Sequence, residues 1–166
     1  MSSNKLKLRA LEPEDLQLIY EIENDESLWP WSSTGQPLSR YSVRQYLASQ
    51  HADIYQDGEL RLVVDCNGQS CGVTDLTNFD PRHLRAEVSI VMLPSWRRQG
   101  LGRETLQCLS DYARRHLRLR SLYAYVSVDN LPAQALFRAA GYEPMAQLPC
   151  WIEGRQTATL FQTILS

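Results

Sequence analysis

A strand, a glycine-containing turn and an amphipathic helix follow one another without a linker between residues 86 and 117, and this junction constrains the fold more than any other part of the chain. The strand reads AEVSIVML, the turn contains Gly100 and Gly102, and apolar residues recur at helical spacing in GLGRETLQCLSDYARRHL. Glycine lets successive backbone N–H groups converge, and the positive end of a helix dipole adds to their attraction for an anion. The junction therefore predicts an anion site at the start of a helix.

Three arginines surround this turn, although the chain as a whole is slightly acidic. Arg97, Arg98 and Arg103 lie close together in the sequence, whereas the formal net charge is −2. General affinity for nucleic acid is not indicated, because that affinity depends on an excess of basic side chains. The local charge fits a small phosphate-bearing ligand instead.

Four interpretations of the turn compete. A dinucleotide-binding fold requires a third glycine at the position that Thr105 occupies. The phosphate loop of nucleotide hydrolases, GxxxxGK[ST], is absent. Two alternatives remain open on these residues alone: a plain connection between strand and helix with surface arginines, and a site for the pyrophosphate of another cofactor.

The remaining segments alternate between strand and helix patterns and predict one mixed α/β domain over residues 1–166. Strands are predicted over residues 5–11, 59–66, 71–79, 86–93, 121–128 and 157–165. Helical spacing predicts helices over residues 12–24, 43–55, 100–117 and 131–140, and a loop over residues 25–42. Asn67 and Gly68 supply the positive φ values of a tight turn, which predicts a hairpin.

Cysteine spacing argues against a metal site, and hydropathy argues against a membrane-spanning segment. The chain has four cysteines without metal-ligand spacing: Cys66, Cys71, Cys108 and Cys150. We interpret them as thiols of a cytoplasmic protein without a metal site, although Cys66 and Cys71 flank the hairpin turn. No apolar run approaches the length of a membrane span, and the first residues lack the apolar centre of a signal peptide, so no membrane partner is expected.

Three blocks in the right order resemble the GCN5-related N-acetyltransferase (GNAT) superfamily. Arg97 to Gly102 matches the (Q/R)xxGx(G/A) motif of these enzymes, and VSVDNLPAQALFRAAGY resembles their next block. The segments LRALEPEDLQLIYEIENDE and WIEGRQTATLFQTIL are similar to the subgroup of spermidine N-acetyltransferases and ribosomal-protein N-terminal acetyltransferases. The resemblance implies a mixed, mostly antiparallel α/β sheet of about six to seven strands that splays open, with about four helices on both faces.

The resemblance also implies acetyl-CoA as the acetyl donor. In this family the glycine turn holds the pyrophosphate, and a splayed strand, here Ser89 to Leu93, polarises the thioester carbonyl with a backbone N–H. A bulky residue at Gly102 is then expected to block the pyrophosphate and to spare the fold, since the position is taken as a surface turn. The expected acetyl-CoA-binding residues are Val91, Met92, Leu93, Arg97, Arg98, Gln99, Gly100, Leu101, Gly102, Arg103, Asn130, Ala133 and Phe137.

Glu87 and Asp75 are the candidates for the base that takes the proton of the amine. Alternation places Glu87 and Ser89 on one face of their strand. The alternative for Glu87 is a surface ion pair with Arg85 or Arg82. Asp75 lies in the neighbouring predicted strand, and two adjacent carboxylates would attract a cationic amine and raise each other's pKa.

The general acid of the family has no direct counterpart in this chain. Relatives place a tyrosine in a pattern like LYExxGF, and the matching position is Phe137, which has no proton to give. Tyr125 is a candidate substitute, with Tyr123 and Tyr142 as alternatives. Otherwise water supplies the proton, or the thiolate leaves without a dedicated acid. Asn130 matches the asparagine that holds the acetyl-CoA arm in relatives.

The acceptor is expected to be a polyamine-like amine or a protein N-terminal amine, with a sugar amine or a drug-like amine as further alternatives. The stretch LWPWSSTGQPLSR has no carboxylate, which weakens the case for spermidine. Trp29 and Trp31 either bind a cation through their faces or serve as packing residues. Assembly into a homodimer or larger homo-oligomer is compatible with this interpretation. A function of another class, a non-catalytic acetyl-CoA sensor or partner-binding protein, is the alternative because Phe137 replaces the acid.

Overall fold

Seven strands form one sheet in the computed structural model, which describes residues 5–32, 35–51 and 53–166. The strands are β1 (Leu6–Ala10), β2 (Leu60–Cys66), β3 (Gln69–Asp80), β4 (Arg85–Met92), β5 (Ser121–Ser127), β6 (Glu143–Ile152) and β7 (Gln156–Ile164). They lie in the order β1-β2-β3-β4-β5-β7-β6, and every neighbouring pair is antiparallel except β4 and β5. The expected mixed, mostly antiparallel sheet is confirmed.

Five helices and three short 3₁₀ turns accompany the sheet in the described ranges. The helices are α1 (Leu16–Glu23), α2 (Arg40–Ala48), α3 (Ile54–Asp57), α4 (Leu101–Arg115) and α5 (Leu131–Ala139), and the turns are Pro13–Asp15, Trp29–Trp31 and Pro94–Trp96. Among these described segments, no helix has the length and apolar character needed to cross a membrane.

Helices cover both faces of the sheet because strand residues alternate between two apolar cores. On one face, Val63 of β2 packs with Ile19 of α1 and Val43 of α2. On the other face, Leu62 belongs to a larger core that joins the sheet to α4 and α5. The expected placement of helices on both faces is confirmed. The face under α1 and α2 is called the acceptor face below, and the other is called the α4/α5 face.

The helix predicted over residues 43–55 is two shorter helices, and Ala52 within that range lies outside the described residues. The start of α2 is earlier than predicted because the Ser39 hydroxyl accepts a hydrogen bond of 3.0 Å from the N–H of Ser42. The Asp53 carboxylate caps α3 in the same way. Each N-cap starts its own helix, which is why the structure has one helix more than expected.

Strand β6 is the element that the sequence pattern did not predict. It contains Pro144 and Pro149, most of its side chains are exposed, and it pairs only with β7 at the edge of the sheet. Proline lacks the N–H that a central strand needs but is tolerated at an edge. The pairing loses register between Pro144 and Ala146, so β6 shows no regular alternation of apolar and polar residues.

The sheet splays open between β4 and β5, as expected. The two strands pair over only three residues, from Arg85 opposite Ser121 to Glu87 opposite Tyr123, and both continue beyond that point. We call this opening the fork. Its closed end is the Glu87–Tyr123 pair, and its sides are the remaining lengths of β4 and β5.

Candidate active site

The turn before α4 is shaped to leave backbone donors without partners. Gly100 has a φ of 78° and precedes the first helical residue, Leu101, while Arg98 has a φ of 60°. No side chain caps the helix, and within the described residues none of the backbone N–H groups from Arg98 to Arg103 donates to an acceptor. Such donors at a helix start are what an anion requires. The turn therefore offers the unpaired donors that the predicted anion site requires.

The side chains of this turn are exposed, and one of them reaches back to β4. Nε of Arg97 donates a hydrogen bond of 2.9 Å to the carbonyl of Met92. The side-chain amide of Gln99 donates one of 3.0 Å to the carbonyl of Ser95, which holds the turn. Arg97 therefore carries positive charge to the end of β4.

Gly102 has a packing role that the motif did not predict. It lies in the first turn of α4, and a Cβ atom there would stand 3.1 Å from Cδ1 of Leu136 in α5. The glycine thus lets the two helices approach closely. The premise that Gly102 lies in a surface turn is corrected: it is half-buried in the first turn of α4, and a bulky residue there would have to displace the Leu136 side chain.

The backbone of β4 directs alternate residues toward the fork. The N–H of Leu93 donates to the carbonyl of Cys71 in β3 at 2.8 Å, whereas the Met92 carbonyl accepts from Arg97 instead. Successive residues of a strand direct their backbone groups to opposite sides. This alternation assigns Ile90 and Met92 to the open side, while Val91 and Leu93 face β3. Of the segment from Ser89 to Leu93, Met92 is therefore the residue whose N–H suits an oxyanion.

A groove of about 390 Å³ lies between α1 and the end of β4. Four of the expected acetyl-CoA-binding residues line it: Val91, Met92, Leu93 and Arg97. The opposite wall comes from α1 and the residues after it, which were not among the expected site residues: Tyr20, Glu21, Ile22, Asn24, Asp25 and Leu28. The groove gives an elongated ligand a route along β4 toward the fork.

Glu87 is a half-buried carboxylate at the closed end of the fork. Its Oε2 accepts a hydrogen bond of 2.7 Å from the side-chain amide of Asn78. Within the described residues, the ion pair considered as an alternative does not form: Arg85 pairs with Asp80 at 3.6 Å, and Arg82 makes no ion pair with Glu87. Burial raises the pKa of Glu87, and the hydrogen bond from Asn78 acts in the opposite direction. A carboxylate with a raised pKa suits general base catalysis near neutral pH.

A β-bulge directs Asn78 at Glu87. Strands β3 and β4 lose register between Thr77 and Asp80, and Asn78 has a φ of 48°. Asparagine tolerates this left-handed conformation better than most residues. A bulge re-orients a side chain next to a site without ending the strand, and here it brings an amide to the carboxylate.

Asp75 is placed differently from Glu87, because both of its oxygens are engaged. Nε and Nη2 of Arg61 donate to its two oxygens at 2.7 and 3.2 Å, and the Ser89 hydroxyl donates at 2.9 Å. Arg61 also donates to the Glu23 carboxylate at 2.9 Å and lies under the ring of Tyr46. Asp75 is buried within this network. Its contacts favour a structural role, and the expected pair of two adjacent free carboxylates is not formed.

Phe137 and Tyr125 lie on opposite faces of the sheet. The Phe137 ring is buried in the α4/α5 core, where it stacks on Phe161 at 5.9 Å and meets Tyr142 edge-on at 5.0 Å. Tyr125 is on the acceptor face, with its ring 5.2 Å from that of Trp151. Phe137 and Tyr125 therefore do not form one cluster.

Asn130 and Ala133 meet at the start of α5. Oδ1 of Asn130 accepts a hydrogen bond of 3.3 Å from the N–H of Ala133 and so caps the helix. The N–H of Asn130 donates to the carbonyl of Ser127 at the end of β5. These contacts fix both residues beside the β5 side of the fork.

The tryptophans after α1 form a 3₁₀ turn that contacts the sheet at β7. Nε1 of Trp29 donates to the carbonyl of Glu23 at 3.0 Å, and the Pro30 carbonyl accepts from the side chain of Gln156 at 3.3 Å. Trp31 is exposed. Residues 33 and 34 of the predicted loop lie outside the described part of the chain. Trp151, which belongs to the unpredicted strand β6, adds an exposed aromatic ring on this side.

Comparison with known proteins gives a consistent set of relatives. The family model of the acetyltransferase (GNAT) domain matches residues 5–143. Spermidine N(1)-acetyltransferase of Escherichia coli (strain K12) is 29% identical over 147 residues, which cover 89% of this chain and 77% of the relative. Spermidine N(1)-acetyltransferase of Vibrio cholerae is 28% identical over 141 residues, covering 84% of this chain and 80% of the relative.

Solved structures of the Vibrio cholerae spermidine N-acetyltransferase have the same fold. One in complex with CoA and spermine superposes with a TM-score of 0.85 at 25% identity, covering 96% of this chain and 95% of that chain. A dodecameric form in an intermediate state gives a TM-score of 0.78 at 28% identity, covering 97% and 94%. This likeness covers more of the chain than the family model does.

Proposed function

The chain belongs to the GNAT acetyltransferase family, and we propose that it transfers the acetyl group of acetyl-CoA to a primary amine of a polyamine. One observation carries the proposal. Glu87, a carboxylate with a raised pKa and no basic partner among the described residues, closes a fork that opens beside a helix start with unpaired N–H groups. An anion site, a groove and a base are thus arranged along one strand.

The residues present fit acetyl-CoA. The N–H groups from Arg98 to Arg103 would hold the pyrophosphate, supported by the helix dipole and by the arginine charges. Val91, Met92 and Leu93 would line the arm, with Asn130 and Ala133 on the other side of the fork. Phe137 was expected to line it too, but its ring is buried in the α4/α5 core and is not assigned to the arm. When bound, acetyl-CoA supplies an acyl group activated as a thioester.

Charge stabilisation at the reacting carbonyl is assigned to the backbone of β4. The N–H of Met92 belongs to the side of β4 that β5 leaves unpaired, so it is free to donate to an oxygen that gains negative charge. A donor fixed in a strand needs no reorganisation during the reaction. Leu93, whose N–H is bonded to Cys71, does not serve this purpose.

Glu87 is assigned to hold the ammonium group of the acceptor and to take its proton. An amine attacks only when neutral, so a base whose pKa lies closer to neutral pH is more effective than an ordinary carboxylate. Asp75 is assigned a structural role because Arg61 forms an ion pair with its carboxylate. Tyr125 remains a predicted proton donor for the departing thiolate, while Phe137 carries no proton to give.

A polyamine is favoured over a protein N-terminus by the relatives and by the aromatic rings on the acceptor face. Tyr125 and Trp151 lie together there, and aromatic faces attract cations. The relatives from Escherichia coli and Vibrio cholerae are spermidine N(1)-acetyltransferases, and a solved structure of the Vibrio cholerae enzyme is in complex with CoA and spermine. The stretch LWPWSSTGQPLSR after α1 has no carboxylate to attract a cationic acceptor. Glu87 at the fork provides a negative charge instead.

The proposal is tested by the release of free CoA thiol over a panel of amines. The panel contains spermidine, spermine, a peptide with a free N-terminus, an amino sugar and a small hydrophobic amine. We expect the highest kcat/KM with the polyamines, and mass spectrometry should find one acetyl group on a primary amine. Preference for the peptide would move the acceptor to protein N-termini. Tight acetyl-CoA binding without turnover on any amine would favour the sensor.

We also propose that the chain self-associates. A relative forms a dodecamer, and the α5–β6 edge of this chain exposes Leu131 and Met145. Light scattering on the purified chain should give a mass of at least twice the 19.0 kDa of one chain. A monomer at all concentrations, with or without spermidine, would contradict this part of the proposal.

A further inference from the structure

The 3₁₀ turn Trp29–Trp31 is connected to both sides of the fork by side-chain hydrogen bonds. On the β5 side, the side-chain N–H of Gln156 donates to the Pro30 carbonyl at 3.3 Å. The Oε1 of the same glutamine accepts from the Ser127 hydroxyl at 2.8 Å, and Ser127 is the last residue of β5. Gln156 therefore bridges the turn and the end of β5 with one side chain.

On the β4 side, the connection passes through Arg61. Trp29 donates to the backbone carbonyl of Glu23, whose carboxylate accepts from Arg61. Arg61 holds Asp75, and Asp75 accepts from the hydroxyl of Ser89 in β4. The connection therefore ends on β4 two residues from Glu87 and on the same face of that strand.

The ends of the segment that carries the turn are also fixed. The side-chain amide of Asn24 donates to the carbonyl of Leu38 at 3.1 Å, and the N–H of Leu38 donates back to Oδ1 of Asn24 at 2.9 Å. Because these two hydrogen bonds join the ends of the segment from Asn24 to Leu38, any further contact along the segment restricts its position. The hydrogen bond from Gln156 joins Trp29–Trp31 to the β5–β7 side.

We propose that Gln156 is a positioning residue for the acceptor amine, because it holds the Trp29–Trp31 turn across the fork. The inference rests on the proposed acetyl transfer. The glutamine does not touch the reacting atoms. It fixes how closely the tryptophans approach Glu87 and the aromatic rings of β5 and β6, and so it sets the affinity for the amine without affecting the acetyl-CoA site.

The main test variant is Gln156→Leu, which has similar volume and loses both hydrogen bonds. We expect the KM for spermidine to rise roughly two- to tenfold, the range that one neutral hydrogen bond supplies. The KM for acetyl-CoA and the Tm should stay at wild-type values. Ser127→Ala removes the bond that orients the glutamine, together with the 3.3 Å bond that the hydroxyl accepts from the N–H of Asp129, but keeps the bond from Gln156 to Pro30. It should therefore give a smaller rise, and the double variant should be no worse than Gln156→Leu.

Gln147→Leu is the matched control, since Gln147 is an exposed glutamine on the adjacent strand and makes no contact with the turn in the described ranges. It should leave all three quantities unchanged. An unchanged spermidine KM in Gln156→Leu overturns the inference. A parallel rise of both KM values with a lower Tm also overturns it, because that pattern indicates a purely structural role.

Hydrogen–deuterium exchange keeps the test independent of turnover. We expect the backbone amides of Trp29 and Trp31 to exchange faster in Gln156→Leu than in the wild type or in Gln147→Leu. If the wild type turns over no amine, the proposed function fails, and exchange alone then decides whether Gln156 holds the turn. Unchanged exchange at those amides would contradict the positioning role.

Discussion

The side-chain amide of Asn78 in β3 donates a hydrogen bond of 2.7 Å to the carboxylate of Glu87 in β4. Asn78 lies in the bulge where the pairing of these two strands shifts register. The donor opposes the effect of burial, which raises the pKa of Glu87. Asn78 thereby keeps a half-buried base ionised to lower pH than burial alone would permit. The pair links a local irregularity of β3 to the chemistry at the fork.

Replacing Asn78 should move the acid side of the pH profile. Asn78→Gly removes the donor, and glycine adopts the φ of 48° without strain. The pKa of Glu87 then rises, so a higher pH is needed to deprotonate it. We expect the acid limb of kcat/KM for spermidine to shift to higher pH, with an unchanged plateau above it.

Two variants control this experiment. Asn67→Gly makes the same substitution at another positive φ, 55°, in the β2–β3 turn, and should leave the profile in place. In a Glu87→Gln background, Asn78→Gly should cause no further shift. A limb that stays in place in the single variant would show that Glu87 is not the group that titrates.

Asp75 should behave as a structural carboxylate. Asp75→Asn removes a charged partner from half-buried Arg61, which retains Glu23, and should destabilise the fold by about 1.5–3 kcal/mol. Glu87→Gln should leave the free energy of unfolding nearly unchanged, because its amide can still accept from Asn78. Urea unfolding of both variants measures the difference. Equal free energies of unfolding for the two variants would contradict the structural role assigned to Asp75.

The pairing of Arg61 with Asp75 shows where sequence patterns stop being sufficient. The Asn67-Gly68 turn predicted the hairpin, and counting outward from Cys66 opposite Gln69 would place Arg61 opposite Thr74. A register shift between Val64 and Asp65 moves the pairing by one residue, so Arg61 meets Asp75 instead. A shift of one residue moves a side chain to the other face of the sheet, and no residue type announces it.

Local patterns were reliable where chain geometry depends on neighbouring residues. The strand, glycine turn and helix around Gly100 were predicted because backbone conformation and dipole act within a few residues. Strand β6 was missed because an edge strand with prolines has neither alternation nor a buried face. The role of Asn78 was missed because it depends on a bulge that only pairing with β4 creates.

The two glycines of the turn should have separable roles. Gly100→Ala forces a side chain into the left-handed region at about 1–2 kcal/mol and shifts the N–H groups, so acetyl-CoA affinity should fall. Gly102→Val should lower the Tm, because overpacking against Leu136 costs about 1–3 kcal/mol. Calorimetry with acetyl-CoA and thermal unfolding separate the two effects.

A compensating change tests the assignment of Gly102. Leu136→Ala makes room for the valine, so the double variant should recover part of the Tm lost by Gly102→Val. Its affinity for acetyl-CoA should approach that of Leu136→Ala alone. If the double variant recovers the Tm but binds no acetyl-CoA, the side chain at position 102 obstructs the pyrophosphate directly, as the motif alone suggested.

The central claim is that Glu87 at the closed end of the fork drives acetyl transfer to a polyamine, and CoA thiol release in wild type and Glu87→Gln tests it most directly. Acetyl-CoA affinity, measured by calorimetry, should be the same in both proteins. With saturating spermidine, we expect the wild type to release thiol and form acetylspermidine, and Glu87→Gln to be slower by about 10²–10⁴-fold. Equal rates across the pH range, with equal acetyl-CoA binding, would contradict the claim.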